Sequence, residues 1–300
     1  MTSTLVAARL RRACLLCAPA AIAVALLTLG GSARGTLWAS AAVQLAIGDI
    51  AALLVALGLS GALPTGLRRA VRVPAPLRRL GDPPAALALW ALDLCVWHLE
   101  VFSSAAQRHV GVQALEYLCL LAFAVNMWTC LLGARQPPAW FGHRARLAYI
   151  LAGRLALAGF GNLLLWSSGV LYAGYSATAS HRHLSPLGDQ ALAGAIVVAE
   201  SAAVALCLLG WLYARVRRET HERRRLLDFA HARGLRLAPE RVERAAADGS
   251  ALELCRRLEA LLESPARAQP PATAGRIVSS APSATGVARP SRKRMSSPAR

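Results

Sequence analysis

Residues 181–213 read HRHLSPLGDQALAGAIVVAESAAVALCLLGWLY, a polar loop that passes through Pro186 and Asp189 into a long apolar run broken by one acid, Glu200. At 1.5 Å per residue such a run crosses a hydrocarbon core about 30 Å thick. Comparable runs lie at roughly 13–31, 37–60, 84–104, 111–133 and 147–173. With 300 residues, 55% of them hydrophobic, and a mean hydropathy of +0.41, the chain is too apolar for an ordinary soluble domain. The expected fold is all-α: a polytopic membrane helix bundle of about six transmembrane helices over residues 1–215, a short cytoplasmic helical extension over 216–263, and a disordered basic tail over 264–300.

Orientation follows from the basic residues of the short connections. Arg9, Arg11 and Arg12 precede the first span, Arg68, Arg69, Arg72, Arg78 and Arg79 lie between the second and third, and Arg135, Arg144 and Arg146 between the fourth and fifth. The opposite side carries Arg34, Arg108 and Arg182 alone. Both termini are expected on the cytoplasmic side of a bacterial plasma membrane, with HRHLSPLGD outside. The first run also has the outline of a signal peptide, with Gly31-Ser32-Ala33 as a cleavage site, but its length favours a retained span.

The net charge of +18 sits in cytoplasmic arginines and a basic tail beside an anionic leaflet, so nucleic acid is not needed to explain it. Basic residues are almost all Arg, Lys293 being the only lysine, and Ala is abundant, which suggests a GC-rich bacterial genome. Seven cysteines make an odd count with none in an outer loop, which argues against a disulfide framework. Cys14 and Cys17 share one helical face but have no second pair or histidine beside them, so they read as small apolar side chains.

After Trp211 the composition turns polar and arginine-rich. Pro239 suits a helix first turn, Asp248-Gly249 a break, and Ser250 with Glu253 a capping box before Leu254, Leu258, Leu261 and Leu262. From Ser264 onward the chain has no acidic residue and the composition of a disordered tail.

Ionisable side chains within a membrane cost about 2.5–3.5 kcal/mol at the helix centre, so each calls for a partner or a purpose. Asp49, Asp93 and Glu200 fall near mid-depth, Glu100 and Glu116 in the outer third, and Arg154 on the cytoplasmic half of the fifth span. Trp90, Asp93, Trp97 and Glu100 share one side of a continuous third helix, with His98 turned away from Asp93. Glu116, Cys119, Asn126 and Cys130 form a polar stripe on the fourth, and Gln44, Asn126 and Asn162 read as interhelical glue. His98, His109, Glu116, His181 and His183 gather toward the outer side, with donor types that suit copper or zinc. His181 and His183 alone read as a solvated loop.

Three stretches together resemble the CtaG family, bacterial membrane proteins needed to assemble cytochrome c oxidase. They are Leu184-Ser185-Pro186-Leu187 with Asp189-Gln190 and Gly194; Ala91 to Leu99, which contains Trp97-His98; and Ala114-Leu115-Glu116-Tyr117-Leu118. Their order and spacing agree with the family over about residues 37–213. The resemblance implies a helix bundle that takes part in the maturation of haem-copper oxidases, with copper delivery at the outer face. It points to His98 and Glu116 as the metal-binding residues and to Trp97, Asp189 and Gln190 as further functional positions, while Asp93 and Glu200 join them as acids within the membrane. Ser40 and Gln44 stand where the family usually has a His-x-x-x-His pair, Tyr117 replaces the histidine of Glu-His, and Val198 with Glu200 replaces Trp-x-Pro. Three usual histidines are thus absent, which predicts weakened copper binding on a retained fold.

The reading is therefore an accessory or assembly factor whose partners are the bilayer and oxidase subunits, and not an enzyme: no loop offers a nucleophile, base and orienter in recognisable order. Asp189 is expected to cap the sixth span near its positive end. A rival reading is a small proton-coupled transporter using Asp49, Asp93 and Glu200, although no internal repeat or paired broken spans support it. A third is a scaffold or sensor acting through residues 216–263.

Overall fold

A computed structural model describes residues 2–33, 35–59, 79–132, 138–172, 174–175 and 184–263. His181, His183, Arg68, Arg69, Arg72, Arg78, Arg135 and the 264–300 tail lie outside the described residues. The described residues form helices and no strand: α1 Thr2–Ala33, α2 Leu37–Leu59, α3 Pro83–Trp97, α4 Glu100–Arg108, α5 Val110–Leu132, α6 His143–Trp166, α7 Pro186–Ala232, α8 Pro239–Asp248 and α9 Ala251–Glu263. The chain divides between Glu222 and Arg223 into two compact units.

Among the described residues five helices, α1, α2, α5, α6 and α7, are long and apolar enough to cross a membrane, and α3 with α4 is so only as a pair, bent by 68° at the break between them. The bend corrects the expectation of a straight third span. His98 ends α3 and Leu99 takes extended backbone before α4 begins, so Glu100 leaves the face of Trp90, Asp93 and Trp97 for an exposed position on the new helix. Leu27, Leu155 and Leu206 are among the large apolar side chains turned outward, where lipid replaces water as the solvent.

Local chemistry sets the helix ends. Pro83 and Pro239 occupy first turns, where their missing N–H groups cost nothing. Gly249 closes α8 in the left-handed conformation at φ 68°. Ser185 caps α7 by accepting from the Gly188 N–H at 3.0 Å. Arg146, in the first turn of α6, donates to the Leu131 carbonyl at 2.8 Å and so satisfies the end of α5.

In the membrane unit α1 packs along α2, α2 against α5, and α5 against α3, α4 and α6. At the seam between α6 and α7 the two backbones come close together. A Cβ on Gly194 would lie 2.5 Å from the Gly161 carbonyl and 2.6 Å from the Leu165 nitrogen, so only glycine permits this backbone approach. In the second unit Leu226, Val242, Ala245, Ala251 and Leu254 form a small core. The expected capping box does not form there. The Ser250 hydroxyl turns back to the Ala245 carbonyl at 3.4 Å, and Glu253 pairs outward with Arg257 at 2.9 Å.

Candidate functional site

Two polar centres lie inside the membrane unit. The first is held by an ion pair, and its Asp49 also borders the cavity of the second. Asp49 sits on a π-helical turn of α2, Ala46–Ala51, and receives both arms of Arg154 from α6 at 2.9 and 3.0 Å. The guanidinium stacks over Trp128 of α5 at 5.3 Å, and Glu200 of α7 approaches it at 3.7 Å. Ser201 donates to the Arg154 carbonyl at 2.9 Å, fastening α7 to α6 at the same level. Asp49 and Arg154 are 4% and 5% exposed, so their charges persist only as a pair.

The second centre is a cavity of about 60 Å³ between α2, the α3–α4 bend, α5, α6 and the segment that follows α6. At roughly 10–15 Å³ per water it has room for several. Glu116 of α5, only 4% exposed, accepts from the Gln44 amide of α2 at 2.6 Å. His98 reaches the cavity because α3 ends there. Its Nδ1 lies 2.7 Å from the Leu94 carbonyl and its ring stands edge-on to Phe160 at 4.3 Å. Tyr172 donates to the His98 carbonyl at 3.2 Å. Tyr175 shares hydrogen bonds with Ser40 and Gln107, and burial raises its phenol above the ordinary value, which keeps the hydroxyl a donor.

Asp93 and Trp97 stand beside this cavity. Trp97 donates its indole N–H to Asp93 Oδ1 at 3.0 Å, while Oδ2 is buried with no hydrogen-bond partner among the described residues. Asp93 and Glu116 lie within electrostatic reach of each other.

The signature loop holds the bundle end around the cavity. Asp189, 1% exposed, accepts from the backbone N–H groups of Leu37 at 2.8 Å and Trp38 at 3.1 Å. It therefore caps α2, and the expectation that it caps its own helix is corrected: Ser185 already does so, which frees the Asp189 carboxylate for a neighbouring helix start. Gln190 accepts from the Leu171 N–H at 2.7 Å and donates to the Leu164 and Gly169 carbonyls at 3.3 and 3.2 Å, pinning the turn that leaves α6.

The structure thus joins His98 and Glu116 in one cavity, with Trp97 on its wall and Asp93 adjacent. It puts Asp189 and Gln190 in the frame, and Glu200 with Asp49 at the ion-paired centre. Of the three acids of the carrier reading, Asp49 and Glu200 share Arg154 and Asp93 is held by Trp97, and that reading has no support. Sequence reasoning missed Phe160, Tyr172 and Tyr175, and took Gln44 for interhelical glue only. The spacing of Tyr172 and Tyr175 was a weak signal, since both follow the end of α6. Asn162, also read as glue, bonds its own helix at Ala158. Among the described residues no three His, Cys, Asp or Glu side chains gather closely enough to hold a metal ion.

No curated protein and no solved structure shows significant similarity to the chain. Residues 5–219, nearly the whole membrane unit, match the family model described as cytochrome c oxidase caa3 assembly factor, and the chain belongs to that family, Caa3_CtaG.

Proposed function

We propose that this protein serves the assembly of a haem-copper oxidase from within a bacterial plasma membrane, and that it does so through the cavity around His98 and Glu116. The observation that carries this reading is an imidazole and a carboxylate lining one cavity of about 60 Å³ inside the bundle of a family of oxidase assembly factors. By the distribution of arginines the cavity lies toward the outer face, with both termini cytoplasmic. An accessory role is favoured over catalysis because the matched family is one of assembly factors.

Copper, as cargo, would meet His98 and Glu116 there. A stable site wants more ligands than these two, so the donor set does not fit a resident ion. The cavity fits a part in handling or docking better than one in storage.

Deleting the gene and measuring cytochrome c oxidase activity and copper content tests the proposal. Loss of oxidase restored by wild type, but not by His98→Ala or Glu116→Gln, is expected. Normal oxidase in the deletion strain would sink the assembly role, and full rescue by both variants would remove the cavity from it.

A further inference from the structure

We propose that the cavity binds an ammonium group, carried by a small organic amine or by an amine-bearing lipid headgroup. The inference uses the cavity named in the proposed function but does not depend on the assembly role.

The charge balance comes first. The buried Glu116 carboxylate has a neutral amide, Gln44, as its hydrogen-bond partner at 2.6 Å, and no Lys or Arg among the described residues lines the cavity. Asp93, with its unpartnered Oδ2, adds a second acid nearby. The ion-paired centre handles the same problem differently, setting Arg154 bidentately on Asp49. A carboxylate withdrawn from water without a cation beside it sheds its charge by taking up a proton or is balanced by a diffusible cation, and the second outcome makes a cation site.

The walls decide which cation. Phe160, His98, Tyr172 and Tyr175 form a continuous run of edge-to-face rings, with centroids 4.3, 6.3 and 6.5 Å apart in that order, and Trp90 joins them on the lining. Aromatic faces attract soft, diffuse cations, and rings gathered around an acid are the usual recognition of alkylammonium groups. A small hard ion instead wants several oxygen ligands, and a transition metal wants several donors at bonding distance, which the described residues do not gather. The volume of about 60 Å³ suits a compact headgroup rather than a drug-sized molecule.

The test uses the full chain in phosphatidylglycerol nanodiscs, titrated with tetramethylammonium chloride and followed by tryptophan fluorescence. Sodium chloride controls for ionic strength, and tert-butanol supplies a neutral molecule of similar shape. Saturable binding of tetramethylammonium alone is expected, weakened at least about tenfold by Glu116→Gln and several-fold by Phe160→Leu. Absence of saturation, equal binding of tert-butanol to the wild type, or undiminished binding in folded Glu116→Gln overturns the proposal. The tert-butanol comparison needs no variant, so it stands even if a substitution prevents folding. Replacing part of the lipid with phosphatidylethanolamine identifies the source: competition with tetramethylammonium assigns the site to a headgroup, and an unchanged affinity assigns it to a free amine. Full oxidase rescue by both His98→Ala and Glu116→Gln would sink the cavity's assembly role while leaving the binding result intact.

Discussion

Asp49 and Glu116 are both carboxylates buried in the same bundle, yet one is locked and the other is left available. Asp49 meets Arg154 at 2.9 and 3.0 Å under Trp128, at a level where Ser201 ties α7 to α6. Glu116 meets only an amide and faces open space. The difference teaches that an acid within a membrane span is not by itself a functional residue. Its partner decides: a paired charge holds helices together, whereas an amide-held charge beside a cavity stays open to a ligand.

The largest effect should come from breaking the locked centre. Arg154→Ala leaves Asp49 and Glu200 uncompensated, and about 3–5 kcal/mol of stability should be lost, read as a large drop in the thermal midpoint in detergent. Replacing the pair together, as Asp49→Leu with Arg154→Met, should recover much of that loss. If the double variant is as unstable as Arg154→Ala, the centre does more than hold helices.

Next comes the α6–α7 seam beside it. Gly194→Ala drives a methyl group against the Gly161 carbonyl and should cost about 1–3 kcal/mol in the same melt. An unchanged midpoint would show that the helices can part without penalty.

The frame of the cavity should be less sensitive. Asp189→Ala removes the acceptor for the Leu37 and Trp38 N–H groups and should cost about 0.5–2 kcal/mol. Hydrogen exchange should rise at the start of α2, and a rise confined to the start of α7 would contradict the assigned cap.

Smallest in stability, and most telling, is Glu116→Gln. Its side chain can still accept from Gln44, so the midpoint should move by less than about 1 kcal/mol while oxidase rescue falls. A stability loss as large as that of Arg154→Ala would erase the distinction between the two centres.

Most of the fold was legible in the sequence because lipid imposes a simple demand: backbone groups must be satisfied within each span, so length and hydropathy alone mark helices. The break at His98 was not legible. Its neighbours Trp97 and Leu99 are as apolar as any span requires, and no Gly or Pro announces the bend. The site was half legible. His98 and Glu116 stood out because such residues are costly in lipid, but Gln44, Phe160 and Tyr172 have ordinary structural uses, and nothing along the chain reveals that they converge. Asp189 shows the same limit in another form. Its place near a helix start suggested a cap, and only three dimensions show that the helix start it serves is that of α2.

The sequence by itself determined that this is a helical membrane bundle with a polar appendage and a family signature, since hydrophobic periodicity and composition are properties of the chain read one residue at a time. The tertiary structure alone decided which buried acid is paired with Arg154 and which is held by an amide, because the energy of a buried charge depends on what packs against it from helices distant in sequence.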